Sequence, residues 1–331
     1  KDRFSLFNDF IIRYVDIPNK NTVHDMIKHL LGQIKSHASV DTFAKKLHLQ
    51  ENFKSTAKGE LFLLKHYLSL FFIAEQSAFY KSYRTESGSM PAPFPIIDSR
   101  YDPFLATLLQ KKGRKVLLPE DVNIISWNYD YQLESAYTAF AQCKLNEALA
   151  LFNEIPTIPP PDLGGGIVKL NGVAGMYFEK DEKTLVHLLS NGKEEFDIND
   201  FKNLLESFAN MKPTLLIDDY EKYLQPFINF AWENSPFERN NADELKKILS
   251  ETRILVIIGY SFPNFNRLID RQIFNRFINL DKIYYQADIK HLSSLIVRLR
   301  ESIIKHGGGV NENIPIIEYT DTDQFCIPYE L

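Results

Sequence analysis

The amino-acid sequence predicts an α/β fold: a doubly wound, mostly parallel (Rossmann-like) sheet with helical insertions that form a smaller subdomain. Three observations predict it. Short apolar, β-branched runs, clearest at 122–126 and 253–258, read as strands covered on both faces. Strand and helix patterns alternate through the second half of the chain, which favours parallel pairing. Each run also stops abruptly at polar side chains, and an open parallel sheet places its ligand crevice just beyond the carboxyl ends of its strands.

Taken in order, residues 1 to about 110 read as mostly helical. Phe4, Phe7, Phe10, Ile11 and Tyr14 recur three and four apart, as do Leu61, Leu64, Leu68, Phe71 and Phe72. Such stripes are core faces and need no cofactor to explain them. A Ser/Gly/Pro-rich loop is expected at 87–95, and a helix after Arg100-Tyr101-Asp102. The first strand, 122–126, leads into a helix at 131–152. A Pro-rich turn at 156–161 precedes a second strand, 167–170, which ends at Asn171-Gly172. The third strand, 253–258, is the most hydrophobic; the fourth lies at 282–286 and the fifth at 314–318, with a helix at 292–304 between them. The implied plan is one domain over 1–331: a mainly helical portion at 1–120, the sheet from 121–174 and 251–331, and a helical insertion at 175–250 with a hairpin at Asn191-Gly192.

With 331 residues and 44% hydrophobic content, the chain can bury one large core or two modest ones. A net charge of -5, with no Lys/Arg stripe interleaved with aromatics, argues against nucleic acid as the main partner. Two cysteines, Cys143 and Cys326, give neither a disulfide framework nor a paired thiolate zinc site. The most apolar stretch, 61–74, is shorter than the roughly 20 residues needed to cross a bilayer, so no membrane partner and a cytoplasmic location are expected. None of the eight histidines stands in metal-ligand spacing with a second ligand, and no metal is expected.

The polar strand ends carry the functional reading. Ser126-Trp127-Asn128-Tyr129-Asp130 follows the first strand, Lys169-Leu170-Asn171-Gly172 the second, and Gly259-Tyr260-Ser261-Phe262-Pro263-Asn264 the third. Gly259 permits close approach of backbone to a ligand, and Ser261 can hydrogen-bond a phosphate or ribose oxygen; a plain strand-to-loop turn is the competing reading. Asn128 can order a water or a ribose hydroxyl, or cap the helix that follows. Asp130 can hold Asn128 in place or serve as that cap. Arg100 can reach a phosphate, or pair with Asp98 and Asp102. Asp288, after the fourth strand, can meet adenosine, or be a surface carboxylate.

These three motifs, in this order, resemble the sirtuin-like domain of bacterial NAD-consuming anti-phage defence proteins, with T/S-x-N-Y-D, K-L-H-G and I-G-Y-S-F segments. The resemblance covers 124–270 well and the first hundred residues loosely. It implies NAD as substrate, cleaved to nicotinamide and ADP-ribose, with Asn128, Asn171 and Asp130 as catalytic candidates. Gly259, Tyr260, Ser261, Asn264, Gly172, Arg100 and Asp288 are the binding candidates. It also implies homo-oligomers and a HerA-type ATPase or other defence partner. The family's Gly-Ala-Gly-x-Ser phosphate loop is expected upstream of Lys1. The family histidine corresponds to Asn171, an amide that cannot be a general base. Loss of such a base costs about a hundredfold to ten-thousandfold in rate. His187 is a candidate replacement, against a plain surface histidine. A catalytically weak or silent NAD or ADP-ribose sensor or scaffold is the alternative. Zinc-dependent deacetylation is disfavoured, because that module uses four cysteines.

Overall fold

A computed structural model describes residues 3–17, 20–54, 56–77, 80, 97–145, 147–148, 166–178, 185–188, 197–210, 225–233, 237 and 242–331. The expected loop at 87–95, the Pro-rich turn at 156–161 and the Asn191-Gly192 hairpin lie outside them.

The described residues among the first hundred are mostly helical, as read: α1 (Arg3–Tyr14), α2 (Lys20–Lys35), α3 (Val40–Gln50) and α4 (Ala57–Glu75). Ser39 starts α3 by accepting the Thr42 amide on its hydroxyl at 3.1 Å, which satisfies one open N–H of the first turn. α4 is apolar around most of its circumference and is buried accordingly. The Phe7 ring meets Tyr67 and Phe71 of α4 at 5.7 and 5.5 Å, so the two predicted stripes pack on each other.

Between α5 (Tyr101–Leu108) and the first parallel strand the chain forms a hairpin, β1 (Gln110–Lys112) and β2 (Lys115–Leu117), turning at Gly113 with φ of 65°. Half of its strand residues are lysines and they show no apolar alternation, so the sequence pattern gave no strand there.

Two small sheets are parallel. β3 (Ile124–Ser126) pairs with β4 (Ile167–Lys169), and β8 (Ile254–Ile258), β9 (Lys282–Gln286) and β10 (Ile316–Tyr319) pair in the order β10-β9-β8. β9 has its expected bounds, and the others shift by a residue or two. The described residues thus form a mixed α/β fold, in which no ladder joins the two parallel sheets. They do share a core: Val168 and Leu170 pack in one cluster with Ile257, Ile283 and Tyr285. β4 is buried throughout, whereas β3 is half-buried along its length.

The region expected to be a helical insertion differs. β5 (Gly172–Phe178) is the centre of an antiparallel sheet with β6 (Leu185–His187) and β7 (Gln225–Ile228). The helices α7 (Ile198–Asn210) and α8 (Ala242–Glu251), which flank β7 in sequence, match the expectation. β5 is buried on both faces, so it shows no alternation, and β7 is remote in sequence; neither feature is visible in a local window. This sheet packs on α4, where the hydroxyls of Ser69 and Tyr177 bond at 2.9 Å. The helix expected at 131–152 is described as α6 (Gln132–Ala141), ended by left-handed Gln142. α9 (Arg267–Phe274) follows β8. The helix expected at 292–304 begins earlier, as α10 (Ile289–Arg298), and continues through a π-helical turn to Ile304.

Candidate functional site at the carboxyl ends of β3, β4 and β8

The chain leaving β3 is held from several sides. Leu170 N–H donates to Ser126 O at 2.9 Å, Ala174 N–H to Tyr129 O at 3.0 Å, and the Tyr129 hydroxyl to Asn229 O at 2.8 Å. Asn128 lies inside this pinned segment with its side chain exposed. Its own N–H donates to the Ser126 hydroxyl at 3.1 Å.

Asp130 precedes Tyr131, the N-cap of α6, and its carboxylate accepts the backbone N–H of Gln132 at 3.3 Å. Its carbonyl accepts from Lys169 Nζ at 2.6 Å, and Lys169 also pairs with Glu134 at 3.2 Å; both side chains are 3% exposed. Glu134 Oε2 is buried and has no hydrogen-bond partner. Burial pushes the Glu134 carboxyl above its ordinary range, and the Lys169 charge opposes that shift.

Asn171 is 9% exposed, and its Nδ2 donates to Trp127 O at 3.3 Å, joining the end of β4 to the end of β3. Gly172 has φ of 80°, and a Cβ there would stand 2.1 Å from Phe227 O, so its glycine serves chain packing against β7. Gly259 has φ of 64° with nothing within 4 Å of a Cβ, so open space adjoins the end of β8. Ser261 and Asn264 are exposed. Arg298 of α10 donates to Ser261 O at 2.7 Å and holds this turn, whose next residue, Phe262, is left-handed at φ of 49°.

The structure joins the three strand ends through Trp127: Asn171 at the end of β4 donates to its carbonyl, and Tyr260 at the end of β8 stacks on its ring with centroids 5.6 Å apart and planes 8° from parallel. The Tyr260 hydroxyl donates to Asp270 Oδ1 at 2.7 Å and accepts from Asn266 Nδ2 at 2.9 Å. Asp270 is 2% exposed, and burial pushes its carboxyl up to about 7, against the lowering effect of the Tyr260 bond.

Two candidates stand apart from this cluster. Arg100 pairs with Asp98 at 2.6 Å, donates to Thr322 O at 3.1 Å and covers the Phe325 ring at 4.7 Å, so its guanidinium ties α5 to the carboxyl-terminal segment. Asp288 is the N-cap of α10 and accepts from Lys290 N–H at 2.8 Å. The side chain of His187 is not among those described. A described cavity of about 330 Å³ lies elsewhere, between α2 and α4, lined by Asp25, His29, Glu60 and apolar neighbours. Among the described residues no group of three or more His, Cys, Asp or Glu is placed to hold a metal ion, and no helix is long and apolar enough to cross a membrane.

Sequence reading missed the Lys169–Glu134 pair and the Trp127–Tyr260 stack. A lone lysine inside the apolar run Ile167-Val168-Lys169-Leu170 was the available signal for the first, since a charge in a buried strand requires a partner. Trp127 and Tyr260 each stand directly before one exposed polar residue, Asn128 and Ser261, but their pairing between segments so remote in sequence leaves no local signature. No family model, curated protein or solved structure matches the chain.

Proposed function

We propose that the chain is an NAD-cleaving domain that hydrolyses the nicotinamide glycosidic bond, and that it serves anti-phage defence by depleting NAD. The observation that carries this reading is the linkage of three strand ends remote in sequence: the Asn171 amide on the Trp127 carbonyl, and the Trp127 ring on Tyr260. Exposed Asn128, Gly259 and Ser261 adjoin Trp127 and Tyr260 along the chain. In this reading the two parallel sheets belong to one doubly wound sheet, whose crevice is this rim.

In the reaction, the bond between ribose C1′ and the nicotinamide nitrogen breaks, with its electron pair leaving on nicotinamide. Water adds at C1′, and its proton passes to solvent. Asn128, exposed on a pinned segment, orders that water or the ribose hydroxyl beside it. Asn171 does not titrate and its Nδ2 is engaged by Trp127, so it holds the frame and takes no proton. Ser261 and Asn264 bind ribose or phosphate oxygens. Homo-oligomers and a HerA-type ATPase or other defence partner are part of the same proposal, and they rest on the resemblance alone.

Incubation of the purified protein with NAD, followed by chromatography of products, tests it. Nicotinamide and ADP-ribose are expected in equal amounts, and Asn128→Ala is expected to lower the rate by about a hundredfold or more. Saturable binding of NAD with no product over many hours would instead support the second reading, a non-cleaving NAD or ADP-ribose sensor or scaffold. That reading is favoured by Asn171 standing where the family has a histidine.

A further inference from the structure

We propose that the β1–β2 hairpin binds the phosphate backbone of duplex DNA. The inference goes beyond the NAD reading and stands whether or not the chain cleaves NAD. Four cations fall within five residues, Lys111, Lys112, Arg114 and Lys115, and all four are exposed. The net charge of -5 for the whole chain conceals this cluster. Exposed charges more than about 10 Å apart are largely screened at 0.1 M salt, so a phosphate at the hairpin tip meets the local sign.

The hairpin is anchored at its base and open at its tip. Leu117 and Leu118 are buried, and the Tyr137 hydroxyl of α6 donates to the Val116 carbonyl. Left-handed Gly113 opens the two-residue turn, and nothing lies within 4 Å of a Cβ placed on it. The pairing sets Lys112 directly opposite Lys115 on one face of the ribbon, and Lys111 opposite Val116 on the other. Like charges placed directly opposite destabilise a pair of strands. Of the four cations, only Lys112 forms an ion pair among the described residues, with Glu120 at 2.8 Å, and both partners are well exposed, so the pair contributes little. An unfavourable apposition kept at an open tip suits an anion supplied from outside. A two-stranded ribbon fits the major groove of B-form DNA, about 12 Å wide, where cations on its two faces meet the phosphates of the two walls. The deep, narrow major groove of duplex RNA excludes it. Residues 110–117 hold no aromatic side chain on which the bases of a single strand would stack, and no exposed apolar one to enter a lipid surface.

Fluorescence anisotropy of a short labelled DNA duplex, titrated with the purified protein, tests the proposal. With three phosphate contacts, from Lys111, Arg114 and Lys115, binding is expected to be micromolar at low salt and to weaken about fortyfold between about 50 and 200 mM salt. Lys111→Ala, Arg114→Ala and Lys115→Ala together are expected to weaken binding at least about tenfold and to flatten its salt dependence. The urea midpoint is expected to stay unchanged in that variant, because all three side chains are exposed. Lys111→Arg with Lys115→Arg, which keeps the charge, is expected to retain binding. The same change in net charge made elsewhere, by Lys28→Ala, Lys46→Ala and Lys247→Ala on α2, α3 and α8, is expected to leave affinity as it was. Unaltered affinity in the hairpin variant, or an equal loss in the control, overturns the assignment. So does tighter binding of a single strand, of polyglutamate or of phosphatidylserine vesicles than of the duplex. Absence of duplex binding at about 50 mM salt overturns it outright.

Discussion

Lys169 and Glu134 form an ion pair with almost no solvent around it, directly beneath the Asp130 carbonyl. Taking one partner away leaves an uncompensated buried charge, so Lys169→Met is expected to cost about 3–5 kcal/mol. Removing both charges with apolar residues, Lys169→Met with Glu134→Leu, is expected to restore most of that stability, and urea midpoints compare the two. Gly172 is equally constrained: its φ is 80°, and the Phe227 carbonyl oxygen lies 2.1 Å from where an alanine methyl would stand, which leaves no room for one. Gly172→Ala is expected to destabilise by more than about 2 kcal/mol. Asp270 contributes a pH dependence of its own. Its folded value of about 7 lies above the ordinary 3.8, so its contribution to stability is fullest below about pH 4 and is lost as pH rises through about 7. Asp270→Asn, which keeps an acceptor for Tyr260, is expected to flatten the urea midpoint across that window. At this scale the sequence made Asn128, Asn171, Gly259 and Ser261 legible, because each ends an apolar run. It did not separate the roles of Asp130, Arg100 and Asp288, since a cap, an ion pair and a ligand contact use the same residue types.

The helices and parallel strands were legible as elements because each repeats a local period. α4 announced itself by apolar residues on nearly every side, and the structure places it between α1 and the β5–β7 sheet, as a core helix must be. Leu64, fully buried in it, is the clean probe: Leu64→Ala is expected to cost about 2–5 kcal/mol, read by urea unfolding. β9 was legible to the residue. The β1–β2 hairpin was not, half of its strand residues being exposed lysines, nor was β5, whose continuous burial carries no alternation and whose partner β7 lies far along the chain. Antiparallel pairing of that range is a property of the packed molecule, and no window of the chain contains it.

For the whole molecule, the α/β class followed from the alternation of elements, and the described residues bear it out as two small parallel sheets sharing a core. The joining of strand ends through Trp127, Tyr260 and Asn171 is the feature on which the functional account stands, and hydrogen exchange with and without NAD tests it most directly. NAD is predicted to slow exchange in the peptides covering 126–132, 169–175 and 258–266 together. Slowing confined to 22–30 and 60–63, around the cavity between α2 and α4, or no change anywhere, would contradict the account.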